Sequence, residues 1–179
     1  MKKCLAVLAV ALLASAPAAN AQSGYWWVGA AASMPTGDAA DVLEAGYFGS
    51  VGVGINISSM TGISLNAEGL YGSHSAKIGS GSTSMTGFFG NVEWEYANDT
   101  KWMPYVFAGY GSLSMKPKGG SSDSNGAWQV GGGFGYRLKD NLNLWGDVRY
   151  MSIDTAGSAT TLVPIAVGIS MPWGNRAGM

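Results

Sequence analysis

Few side chains in this sequence are equipped for chemistry. A single histidine, His74, stands between Ser73 and Ser75 at the mouth of a Gly/Ser-rich segment. Nucleophilic catalysis by serine needs the hydroxyl held by an imidazole and a carboxylate that orients the imidazole from behind. In an extended chain successive side chains point to opposite faces, so neither adjacent serine meets that requirement, and His74 reads as a solvated loop histidine. The one cysteine, Cys4, lies at the extreme N-terminus, which leaves no set of transition-metal ligands and implies no cofactor. The run Gly131 to Gly135, GGGFG, continues as Tyr136-Arg137-Leu138 in the same alternation and not into a helix, so it is not a phosphate loop.

The remaining candidates are charges in unexpected places. In RLKDNLNLWGDVRYMS, residues 137–152, the apolar residues Leu142, Leu144, Val148 and Tyr150 take every second position, and Asp147 and Arg149 fall between them. Charged residues make up only 12% of the chain, against about 25% for soluble globular proteins. Glu68, Glu93, Glu95 and Arg137 occupy the same non-greasy parity of their own segments. These six residues are expected to pair among themselves as a structural cluster, with no catalytic role.

The elements that position them are strands. Period-2 alternation recurs from end to end and no helical period is visible in the mature chain. The expected strands are Tyr25–Met34, Gly46–Ile57, Ile63–Ser73, Ser84–Tyr96, Met103–Met115, Ala127–Leu138, Leu142–Ile153 and Leu162–Trp173, each of about the length a tilted membrane-crossing strand needs. One parity is greasy (Val51, Val53, Leu65, Val92, Val130, Val148, Val167). The other is small and polar (Gly52, Asn66, Asn91, Gln129, Gly131, Gly133, Gly168). A soluble lipid-carrier barrel of the lipocalin type would turn the greasy face inward, and a membrane barrel turns it outward. The glycine-rich, charge-poor character of the polar face favours the membrane barrel.

Two further patterns agree. Short links after the second, fourth and sixth strands, Ser58–Thr61, Ala97–Thr100 and Lys139–Asn141, alternate with longer ones such as PTGDAADVLE and KPKGGSSDSN, as periplasmic turns alternate with extracellular loops. Trp26, Trp94, Tyr96, Tyr136 and Trp173 fall toward one rim and Tyr47, Tyr71, Phe88, Trp128 and Tyr150 toward the other, forming two interfacial girdles. The fold class is therefore all-β, an eight-stranded antiparallel up-and-down transmembrane barrel. Its lumen is just wide enough for side chains to fill. Inward Phe89 and Trp145 and the charge cluster argue against a small pore.

At the N-terminus, Lys2 and Lys3 precede the apolar run Leu5 to Ala14 and the triplet Ala19-Asn20-Ala21. Residues 1–21 are read as a secretory signal peptide cut after Ala21, with one barrel domain over 22–179. Without Lys2 and Lys3 the balance is eight basic residues against eleven acidic, a formal −3, which is no nucleic-acid footprint.

PYVFAGYGS in the fifth strand, QVGGGFGYRL in the sixth and DVRYM in the seventh resemble the small outer-membrane β-barrel proteins of Gram-negative bacteria, the opacity-type and outer-membrane protein A-like transmembrane domains. That resemblance covers essentially the whole mature chain and implies residence in the outer membrane, where the alternation of short turns and long loops would leave both termini periplasmic. The implied partners are outer-membrane lipids, lipopolysaccharide and, during insertion, the barrel-assembly machinery; any surface partner is unspecified. In that family an inward arginine stands where Arg149 does. Gly168, Met171 and Trp173 match the family's C-terminal insertion signal, which Pro172 and the tail after Trp173 interrupt. The resemblance also admits another class, since some eight-stranded outer-membrane barrels modify lipid A with a histidine and a serine. The function implied is structural or surface-interacting, with no catalysis.

Overall fold

The computed structural model describes residues 23–57, 62–77, 81–96, 98–155 and 158–173. Eight strands follow one another: β1 Gly24–Thr36, β2 Leu43–Asn56, β3 Ile63–Ala76, β4 Ser82–Glu95, β5 Trp102–Pro117, β6 Asp123–Lys139, β7 Leu142–Thr155 and β8 Ser158–Trp173. A single helical turn, α1 Ala39–Val42, lies between β1 and β2. Each strand pairs antiparallel with the next, and β8 returns to β1 from Gly24↔Trp173 to Thr36↔Thr161, closing the barrel. The expected architecture and strand order are those observed. The signal-peptide region, the Ser58–Thr61 link and the tail after Trp173 lie outside the described residues.

The alternation of connection lengths is a correction. Six residues (57–62) separate β2 from β3 at the rim read as having short turns, whereas only two (156–157) separate β7 from β8 at the rim read as having long loops. The reason is that the strands run on into the Gly/Ser-rich stretches. β6 begins at Asp123 and β8 at Ser158, each four residues before the expected start. Polar small residues are compatible with both loops and hydrogen-bonded strand ends, so composition alone set the boundary too early. The two rims are called below the loop rim (α1, 77–81, 118–122, 156–157) and the turn rim.

Burial runs opposite to that of a water-soluble protein. Val167 is 64% exposed and Val148, Val51 and Phe134 are comparable, while Arg149, Glu68 and Asp147 are buried inside. In water such an arrangement would expose a greasy belt and pay for dehydrated charges; surrounded by acyl chains, the exposed valines are in their preferred solvent. The outward aromatics close this belt on both sides. Toward the loop rim, Tyr71, Phe88 and Tyr110 each lie across from an outward glycine, Gly49, Gly69 and Gly90 respectively, on the preceding strand. This puts each ring diagonal to the previous one, as tilted strands require. Toward the turn rim, Trp102 sits 5.0 Å from Tyr136 and Trp94 6.1 Å from Tyr96. Trp102 and Tyr110 join the girdles named from the sequence.

The interior nearest the loop rim is an apolar cluster that includes Phe48, Leu70, Met85, Phe89, Leu113, Met151, Ile153 and Leu162. Nearer the turn rim, inward rings lie against inward glycines of the neighbouring strand: Trp27 against Gly52, Phe107 against Gly131, and Trp145 against both Gly29 and Gly168. A Cβ at any of these glycines would collide with the ring or with backbone, which explains the glycine-heavy inner parity. On β8, pairing with β7 lapses between Val148↔Ile165 and Met151↔Leu162, with the register unchanged, at the level of Pro164, whose nitrogen cannot donate to the ladder.

Candidate functional site: the charged interior

Arg149 on β7 is the centre of the polar interior. Its Nη1 meets Glu68 Oε1 at 2.8 Å and Oε2 at 3.0 Å, and its Nη2 and Nε grip Asp147 Oδ2 and Oδ1 at 2.8 and 3.1 Å. The guanidinium also lies 4.9 Å from the centre of the Phe107 ring. A rigid donor fork matched to two carboxylates is the arrangement that allows a buried ion pair to exist, because each guanidinium nitrogen meets a carboxylate oxygen at hydrogen-bond distance. Asp147 and Arg149 share a face because they are two residues apart on one strand, and Glu68 reaches them from β3, across the lumen.

An amide relay extends the cluster. Gln129 on β6 donates through Nε2 to Glu68 Oε2 at 2.9 Å and to Asn91 Oδ1 at 2.8 Å, and Asn91 Nδ2 donates to Asn66 Oδ1 at 2.7 Å. Below it, toward the turn rim, Tyr25 donates its hydroxyl to Glu93 Oε1 at 2.7 Å beside Ser64, and Tyr105 donates to Asp147 Oδ2 at 3.3 Å. Between these groups is a cavity of about 80 Å³, lined among others by Glu93, Glu95, Asp147, Arg149 and Trp145. A polar space of that size holds a few water molecules. Trp145 Nε1, which lacks a protein acceptor, belongs to this lining.

Of the six charges singled out from the sequence, Glu68, Asp147 and Arg149 meet directly. Glu93 is held separately by Tyr25 and Ser64, and Glu95 lines the same cavity. Arg137 is not among them: it lies at the turn-rim end of β6, opposite Asn143, and makes no ion pair among the described residues. A register shift between Arg137 and Lys139 breaks the simple alternation there. Gln129, Asn91, Asn66 and Tyr25 also build the site; in the sequence the first three show only as members of the polar parity, and Tyr25 is obscured by Trp26 and Trp27 beside it.

His74 is a second correction. It is no solvated loop residue; it lies on β3 with 1% exposure, faces inward, stacks edge-on 5.5 Å from Phe48, and neither ring nitrogen has a hydrogen-bond partner. Strand β3 continues to Ala76, so position 74 keeps the inward parity of Glu68 and Leu70. Ser73 and Ser75 therefore face away from it. On β8, Gly168 points inward beneath Trp145, and pairing with β1 continues unbroken through Met171 and Pro172 to Trp173. Pairing with β7 ends at Ser170, so Pro172 has only one neighbouring strand to satisfy.

The sequence matches the family described as outer membrane protein beta-barrel domain over residues 5–176. The chain belongs to that family. No curated protein matches it. Among solved structures, Neisserial surface protein A superposes with a TM-score of 0.66 at 16% identity, covering 83% of this chain and 96% of that one. Ail, the attachment invasion locus protein of Yersinia pestis, crystallised with the heparin analogue sucrose octasulfate, gives 0.56 at 11% identity over 86% and 99%. The outer membrane enzyme PagL gives 0.51 at 15% identity over 83% and 99%. Likeness at these identities is likeness of fold. A surface protein, an attachment protein and an enzyme share it, so role must be argued from this chain's own residues.

Proposed function

We infer that this outer-membrane barrel acts through the surface at its loop rim, as a structural or surface-interacting protein, with a side-chain-filled lumen that neither conducts nor catalyses. The observation that carries this reading is the apolar cluster at the loop end of the interior, in which Phe89, Met85, Leu113, Met151, Ile153 and Leu162 are all at most 1% exposed. A hydrated path through that layer would have to displace close-packed side chains. The ion pair of Arg149 with Glu68 and Asp147 supports the same reading, because charges that neutralise one another at hydrogen-bond distance do not line a channel.

The geometry around His74 disfavours an esterase that works on lipid at the outer wall: the imidazole is inside, and its two serine neighbours are on the other face. In this reading the signal peptide is cut after Ala21, both termini are periplasmic, and Gly168, Met171 and Trp173 on the closing strand present the insertion signal to the barrel-assembly machinery. Fractionation of cells expressing the full chain, followed by surface protease treatment, tests it. Recovery in the outer membrane with cleavage in the segment 116–125 is expected. Recovery in the soluble periplasm would turn the greasy face into a carrier's pocket and overturn the reading.

A further inference from the structure

Among the described residues, four buried side-chain nitrogen and oxygen atoms lack a hydrogen-bond partner, and three of them belong to two neighbouring residues: Nδ1 and Nε2 of His74 and Oγ of Ser33. The register carries Ser33 to Gly46 and Gly46 to His74, so the three inward positions lie side by side on β1, β2 and β3. Gly46 has no side chain and the imidazole takes its place, since a Cβ there would stand 2.6 Å from His74 Cγ and Cδ2. The ring thus lies over β2, edge-on to Phe48, and both His74 and Ser33 are buried. An apolar ring would fill this seat without stranding any donor or acceptor, so packing alone does not account for a histidine here.

The seat is at the level of the rim. His74 follows Tyr71 by three residues on β3, which for strands tilted by roughly 40° puts it about 8 Å above the aromatic girdle. The ladder beside it is irregular: from Leu43↔Ala76 to Gly46↔His74, β2 advances three residues while β3 advances two, a bulge. Directly above, α1 is tied to β3 by the Lys77 N–H, which donates to the Val42 carbonyl at 3.0 Å. Strands β1, β4 and β8 bring no charged side chain to this level. Asp38, Asp41 and Glu44 are exposed on the α1 connection and the start of β2, with Lys77 beside them on β3. Across the lumen Asp123 is exposed at the rim, Lys116 and Asp154 lie on outward parities, and Lys118 is past the end of β5. Below, Leu70 stands between His74 and Glu68 on the same face of β3, and Glu68 is bound to Arg149.

We propose that His74 is an acid-released latch on the loop end of the barrel: neutral, it seats β2 and β3 in the apolar cluster, and once protonated it leaves for the carboxylates of Asp38, Asp41 and Glu44 and loosens the α1 connection. An imidazolium carries two N–H donors and a charge, and in the seat Ser33 Oγ can accept from only one donor while the charge has no counter-ion. At the rim three carboxylates stand against one lysine, so the local field draws the cation upward. Linkage fixes the sign. The open form takes up its proton near the ordinary histidine value of about 6.5 and the closed form resists it, so the closed form is fully held above that pH and is lost progressively below it. The latch rests on the loop rim being the working surface, and deepens that reading by supplying its regulation.

The test folds the full-length barrel in zwitterionic micelles and follows backbone amide exchange by mass spectrometry from about pH 8 to about pH 5, an interval in which ordinary carboxylates stay charged. His74 is the one histidine of the chain, so replacing it removes the only imidazole response. Relative to His74→Phe at the same pH, exchange in segments 31–35, 43–48 and 70–76 is expected to rise about tenfold toward the acid end, because an opening coupled to one proton gains up to about tenfold per pH unit. The turn-rim ends of the same strands, 25–28 and 64–67, should not change. His74→Gln, polar but never charged, should behave as His74→Phe; both are checked for folding by heat-resistant gel mobility, and either serves as the reference if the other does not fold. Loop-rim exchange in the wild type that follows the variants at every pH, or a rise shared equally by the turn-rim segments, would overturn the proposal. Micelles have no sides, so that failure leaves the orientation reading standing, and a failure of surface proteolysis would not touch the latch.

Discussion

Along β7, Asp147 and Arg149 are followed on the same inward face by Met151 and Ile153; along β4, Phe89 is followed by Asn91 and Glu93. The same strands thus carry two interiors, an apolar one toward the loop rim and a polar one toward the turn rim. They fail differently. In the apolar half the penalty for a lost atom scales with the void left behind, since no water can usefully fill it. In the polar half volume matters less than completeness: removing one member strands the others, still dehydrated, without a counter-charge. Stability in the first half is spread over many weak contacts, and in the second it is concentrated on Arg149.

That contrast can be strained by substitution. Arg149→Ala leaves Glu68 and Asp147 buried and uncompensated and is expected to cost about 3–5 kcal/mol, measured by urea titration of the barrel refolded in lipid vesicles. Replacing the whole group at once, Glu68→Gln with Asp147→Asn and Arg149→Met, should recover most of that loss. If the triple replacement is as damaging as the single one, completeness is not what matters in the polar half. Phe89→Ala is expected to cost a similar amount, about 3–5 kcal/mol, but Phe89→Leu only a fraction of it, because the apolar half responds to volume.

The outer wall provides the next comparison. Val167→Arg puts on the lipid face the residue type that Arg149 supplies inside, and near the midplane it should cost about 2–4 kcal/mol, scored by gel mobility and unfolding. An undiminished barrel would mean the valine face does not meet lipid. A smaller effect separates inward from outward glycines. At Gly29 an added Cβ meets the Trp145 ring and, at 2.9 Å, the Val167 carbonyl, whereas at Gly90 nothing lies within 4 Å. Gly29→Ala should destabilise by about 1–3 kcal/mol and Gly90→Ala by less than about 0.5 kcal/mol. Equal effects would show that the ring-on-glycine contacts do not constrain the polar half.

The barrel was legible because a period of two survives over whole strands and both faces have a distinct composition, so a parity count assigned Val167 outward and Arg149 inward. The site was legible only in part. Parity says that Glu68, Asp147 and Arg149 share the lumen, but which of six charges touch depends on strand stagger, which no local pattern encodes. Arg137 shows the limit, lying on the right parity but at the rim and next to a register shift. The place of His74 is hidden for a related reason: Ser73, Ser75 and the glycines after them look like loop, yet backbone pairing carries β3 on to Ala76 and keeps the imidazole inside. The amide relay of Gln129, Asn91 and Asn66 joins three strands, so its residues are related only in the folded sheet.

The central claim is that the two halves of the interior together seal the barrel. Single-channel recording in planar lipid bilayers tests it most directly, with the wild-type barrel and the double variant Phe89→Ala with Met151→Ala run in parallel. The account predicts no resolved conductance for the wild type and the onset of small, irregular openings once the apolar layer is thinned. A steady, reproducible conductance from the wild-type barrel would contradict it.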